Sequence, residues 1–124
     1  MSVPRTVTVQ TGDHGPVVLP EPFWCNWTTP TVDYRSDICH FGQEQALVVS
    51  TPCCGEARIA AAQLTQWPFS VQDTQIRAAV ELDNNHEFDA ATLAGLLDAL
   101  VVWAIGPMHA LHEQLSLLEG GEPS

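Results

Sequence analysis

The sequence predicts an α+β domain, a small antiparallel β-sheet packed against a C-terminal helix that kinks or breaks near Pro107. Three observations carry that expectation. Short β-branched runs separated by Gly, Pro, Asn and Asp turns fill the N-terminal part of the chain. From Leu93 to Leu118, by contrast, Leu, Ala and Met recur at steps of three and four. A helix laid over a small sheet is then the simplest arrangement that buries both apolar faces.

The elements follow in order. Residues 6–9, Thr-Val-Thr-Val, alternate polar and apolar, and Gly12-Asp13-His14-Gly15 supplies a turn before Val17-Val18-Leu19, which predicts an opening hairpin. Pro20, Pro22 and Pro30 bracket Phe23-Trp24-Cys25-Asn26-Trp27, a stretch that lacks the donors of a full ladder and reads as loop or edge, its aromatic rings capping the core. Ala46 to Ser50 is strand-like, and Thr51-Pro52-Cys53-Cys54-Gly55 carries turn chemistry, so Cys53 and Cys54 sit at a hairpin tip. Glu56 to Gln66 is read as the second arm, although Ala60-Ala61-Ala62 favour helix by propensity. In residues 76–82, Ile76, Ala78, Val80 and Leu82 share one face of a further strand.

Asp83 to Glu87 is a polar turn, and Asp89 caps a helix with Phe88 and Leu93 as a hydrophobic staple. The apolar stripe of that helix runs Leu93, Leu97, Leu100, Ala104, Met108, Leu111, Leu115, Leu118, and Leu111 to Leu118 is spaced like a heptad seam that a homodimer would use. Pro107 removes one helical hydrogen bond and crowds the carbonyl of Trp103; Gly120 and Gly121 end the helix. The chain reads as one domain, 1–124, with residues 1–5 and 119–124 as flexible ends.

Composition excludes some functions. Fifteen Asp and Glu stand against four Arg and no Lys, a formal charge of −11, which leaves nothing to neutralise phosphates. Direct nucleic-acid binding and attachment to anionic membranes are not expected; a basic protein partner is electrostatically easier, while the simpler, favoured reading is that the acidity keeps the protein soluble. The opening residues hold no apolar run of the signal-peptide kind, and no uninterrupted apolar stretch reaches the ~18 residues of a membrane span, so a cytoplasmic protein is expected.

The chemistry-bearing residues are few. Cys25, the Cys39-His40 pair and the Cys53-Cys54 pair supply five zinc-type ligands, from which a structural zinc would take four, although no Cys-x2-Cys knuckle is present. Packed or surface free thiols are the competing reading. Adjacent Cα atoms lie ~3.8 Å apart, below the usual disulfide span, so a bond between Cys53 and Cys54 is not expected. A nucleophilic thiol needs a cation or helix N-terminus nearby, and Glu56 beside the tip offers the opposite. His109, His112 and Glu113 read as a solvated helix face, Asp83 to Asp89 as turn and cap in preference to a calcium loop, and His14 as a turn residue.

Together these pieces resemble a family of small uncharacterised domains of unknown function found in streptomycetes and related actinobacteria. The resemblance rests on Thr6 to Val17, on Pro-Glu-Pro-Phe-Trp-Cys at 20–25, on Ser-Asp-Ile-Cys-His-Phe-Gly at 36–42, on Gln66-Trp67-Pro68-Phe69, and on the helix from Asp89. It implies a Trp-Cys element followed by His, then Asp-x-x-His-x-Gly, which matches Cys25 and His40 as preferred ligands. Where that pattern places a histidine near position 29, this chain has Thr28-Thr29-Pro30. The resemblance implies no reaction. The expected role is a non-catalytic accessory or regulatory protein-binding module with a structural zinc; a thiol or metal-dependent enzyme and an acidic nucleic-acid-mimicking inhibitor of a basic protein are the alternatives.

Overall fold

The computed structural model describes residues 5–53, 55–82 and 86–120. Residues 1–4 of the flexible start expected at 1–5, residues 121–124 of the flexible tail expected at 119–124, and Asp83 to Asn85 of the polar turn lie outside them; Arg5 begins a strand and Glu119 ends a helix. The backbone groups into two compact units, residues 1–43 with 64–77, and 44–63 with 78–124.

In the first unit, β1 (Arg5–Thr11) and β2 (Gly15–Glu21) form the expected hairpin, with Val7 opposite Leu19 and Val9 opposite Val17. The alternation works as the pleat requires: Val9 and Leu19 are buried with Ile38, and Val7, Val17, Val32 and Phe69 pack around them. β4 (Thr31–Val32) joins β1 in parallel. The proline-bracketed segment yields only the two-residue β3 (Trp27–Thr28), which pairs antiparallel with β5 (His40–Phe41); β5 in turn pairs with Thr65 and Gln66. Of the aromatic residues there, Trp24 is buried, while Phe23 and Trp27 are exposed, Trp27 leaning on Phe41 with ring centroids 5.4 Å apart.

In the second unit, β6 (Gln45–Thr51) pairs antiparallel with β7 (Gly55–Gln66), and β8 (Arg77–Leu82) also pairs with β7. The second arm is therefore strand. Ala60, Ala61 and Ala62 are all buried. Their helix propensity is worth a few tenths of a kcal/mol each, less than the ladder that satisfies their backbone groups. Both hairpins turn alike: Thr11 Oγ1 donates to the Gly15 carbonyl at 2.7 Å, and Thr51 Oγ1 to the Gly55 carbonyl at 2.8 Å. Gly15 and Gly55 have φ of 63° and 70°, the left-handed position that closes a three-residue hairpin loop.

Asp89 caps α1 (Ala90–Trp103) in a reciprocal box with Thr92, whose backbone N–H reaches Asp89 Oδ1 at 2.8 Å. The helix then continues through a π turn, Ala104–Met108, which contains Pro107, into α2 (His109–Glu119). A widened turn accommodates the ring that an ordinary turn would drive into the preceding carbonyl. By length and composition the run Ala90–Glu119 is long and apolar enough to cross a membrane.

The inward face of α1 differs from the stripe expected. Leu96, Ala99 and Trp103 pack on Leu47, Val49 and Ala60, with Phe88 beside them, and Trp103 Nε1 donates to the Gln45 carbonyl at 3.4 Å. Leu93, Leu97 and Leu100, expected in the core, are exposed. α1 is apolar nearly all round, so periodicity selected a face only weakly, and the floor of Leu47, Val49 and Ala60 selected another.

Gly55 has open space where a Cβ would stand, so Gly55→Ala meets only backbone strain. It is expected to cost about 1–2 kcal/mol in urea unfolding, and Gly55→Asn distinctly less.

Candidate metal centre

The first unit brings four polar side chains together in its interior. Glu21 ends β2; Cys25 closes a turn in which its N–H donates to the Pro22 carbonyl at 3.0 Å. Thr28 and His40 are register partners on β3 and β5, so their side chains leave the sheet on one face. His40, Cys25 and Thr28 are buried.

Thr28 Oγ1 is the hub. It lies 2.8 Å from His40 Nδ1, 3.2 Å from Cys25 Sγ and 3.3 Å from Glu21 Oε2, to which it donates. A carboxylate only accepts, so a hydroxyl that donates to Glu21 receives its own bond from a proton on His40 Nδ1. The result is a relay from imidazole through hydroxyl to carboxylate. Cys25 Sγ adds contacts to His40 Nδ1 at 3.7 Å, Glu21 Oε2 at 3.8 Å and the Trp27 carbonyl at 3.3 Å. Arg5 holds the other Glu21 oxygen at 3.3 Å, and Trp24 stands edge-on to the imidazole. Burial holds the His40 imidazole below its ordinary value, while Glu21 pulls the other way and loses.

The five residues expected as zinc ligands divide. Cys25 and His40 meet at 3.7 Å, and they are donors of the kind zinc takes. Cys39 is fully buried and its thiol donates to the His40 carbonyl at 3.5 Å. Desolvation pushes that thiol up to about 11, so it stays neutral and packs as a small hydrophobe. Cys53 is at the hairpin tip, as expected; Cys54, and with it the expectation about a Cys53–Cys54 bond, lies outside the described residues. Among the described residues no group of three or more His, Cys, Asp or Glu is gathered as a formed metal site. The corner beside His40 is held by the hydroxyl of Thr28.

Two members of the cluster were not anticipated as participants. Glu21 closes a hairpin whose sequence advertises only strand, and Thr28 hides in the proline-bracketed segment; the alternation of β2 and the β3–β5 register are what aim them inward. Elsewhere, His109 and Glu113 form an exposed pair at 3.7 Å on α2. His14 sits in the first hairpin turn, its N–H on Thr11 Oγ1 at 2.9 Å and its Nδ1 2.9 Å from Asp13.

A family model described as "Domain of unknown function (DUF6907)" matches residues 6–116. No curated protein and no solved structure matches the chain.

The His40 environment fixes a pH dependence. Because its folded-state value is depressed, the unfolded chain binds the extra proton first, so this contribution to stability is complete above the ordinary imidazole value of 6.5 and declines as pH falls below it. Urea midpoints between pH 7.5 and 5.5 are expected to fall more steeply for the wild type than for His40→Gln. Parallel curves would refute the assignment.

Proposed function

The chain belongs to the DUF6907 family, a domain of unknown function, and from that premise we propose that it is a non-catalytic accessory or regulatory protein-binding module whose docking element is α1. One observation carries this reading: none of the fourteen residues of α1 is buried, although Asp98 is its only charged residue. A helix apolar on all sides is ordinarily covered. An open groove of about 460 Å³ continues the apolar surface between α1 and β6, lined by Leu47, Val48, Val102 and Trp103 among others, with Asp98 at its edge. The formal charge of −11 favours encounter with basic proteins.

The Cys25–His40 contact supports a second component, a structural zinc held by Cys25 and His40, with Glu21 the carboxylate nearest to Cys25 Sγ. Bound there, zinc would tie β2, the Cys25 turn and β5 together and contribute folding free energy. A nucleophilic thiol is less well supported, because the charged group beside Cys25 is a carboxylate and Cys39 is held protonated.

Two measurements test these readings. Baits of wild type and of Val101→Glu, both folded by circular dichroism, are expected to differ at least tenfold in retention of a cognate partner from the native host; equal retention sinks the docking role of α1. Protein purified without chelator is expected to carry one zinc per chain by native mass spectrometry, lost in Cys25→Ser. A metal-free wild type that stays metal-free on titration with zinc sinks the metal component.

A further inference from the structure

We infer that the exposed ridge of α1 is covered by a second copy of this chain. The inference rests on the reading of α1 as a docking element and names its occupant. Leu93, Leu97 and Val101 of α1, and Ile105 of the π turn that continues it, follow one another at steps of four and are 46%, 56%, 58% and 71% exposed. Such a row is a ridge of the i±4n kind, and two copies of it interdigitate at an interaxial angle of about −50°.

Three features point to self-pairing. The first is area: with Leu100 and Val102 alongside, the ridge presents on the order of 500 Å² of apolar surface, near the upper end for a monomer's largest patch. Two copies face to face then remove about 1,000 Å², the threshold for a specific interface. The second is complementarity under a twofold axis, where a ridge of uniform four-residue spacing meets its own grooves without needing a matched partner surface. The third is charge. Asp98 is the only ionisable residue from Ala90 to Met108, and it lies on the groove side, beside Val102 and Trp103. A basic partner drawn by the acidic surface therefore finds a single carboxylate along the whole apolar length from Ala90 to Met108. A bilayer is a poorer occupant, because Leu96, Ala99 and Trp103 are committed to Leu47, Val49 and Ala60 and cannot also face lipid.

Self-pairing of a chain with formal charge −11 has a signature that pairing with a basic protein lacks. Screening relieves repulsion between copies, so the dimer tightens as salt rises from about 0.01 to 0.15 M, whereas an acidic–basic complex weakens. Light scattering on the full chain is expected to give twice the chain mass at micromolar concentration, with that salt trend. Val101→Glu and Ile105→Glu are expected to weaken the dimer at least about 100-fold, and Leu117→Glu, an exposed leucine outside the ridge, to leave it unchanged. Should a glutamate variant lose its fold by circular dichroism, the milder Leu97→Gln carries the same comparison.

A wild type that remains monomeric at about 100 μM in 0.15 M salt overturns self-pairing, as does a dimer indifferent to the ridge variants. A monomer that retains a different protein in a Val101-dependent way, or floats with neutral phosphatidylcholine vesicles, also overturns it; the first of these leaves the docking reading standing. A monomer that retains nothing loses both.

Discussion

The hydrogen bonding of β7 is the constraint on which both units depend. Its twelve residues include an alanine run that would coil into helix in isolation. They stay extended because β6 takes their donors and acceptors from Gly55 to Ala62 and β5 takes those at Thr65 and Gln66. The methyl side chains suit this position, since Ala60, Ala61 and Ala62 are buried consecutively and therefore on both faces of the strand. Ala60 becomes part of the floor under α1. At the other end, the pairing of His40 with Gln66 anchors β5, and β5 sets Thr28 opposite His40.

That register explains why the polar cluster is stable without charge neutrality on every member. A buried imidazole, thiol and hydroxyl each need a partner, and an unmet group costs about 1–3 kcal/mol. Thr28 serves three neighbours at once, and the Glu21 carboxylate, tied outward to Arg5, receives the end of the relay. Cys39, one residue from His40, has no such company and behaves as core. The neighbours Cys39 and His40 thus occupy different chemical environments because consecutive side chains of an extended chain leave on opposite faces.

The two units place their unusual chemistry differently. In the first, polar groups are inside and mutually satisfied. In the second, apolar groups are outside: the ridge of α1, Val48 on β6, and Val80 and Leu82 on β8 are all exposed. A strand whose alternation promises a buried face and a helix whose stripe promises another both end up with that face open. From α1 the floor of Leu47, Val49 and Ala60 receives Leu96, Ala99 and Trp103, with Phe88 beside them.

The sequence by itself determined what local chemistry can determine. Thr and Gly four positions apart closed both hairpins, with Gly in the left-handed region each time; Asp89 and Thr92 started the helix; and the separation of strand-like from helix-like patterns gave the α+β class. Cys25 and His40 were legible by residue type, and their side chains meet at 3.7 Å. What only the tertiary structure decided was orientation. Glu21 and Thr28 joined that pair through strand register, a long-range property with no local signal. The inward face of α1 went to Leu96, Ala99 and Trp103 because a helix apolar on every side has no periodicity strong enough to choose, and the choice passes to whichever surface it packs against.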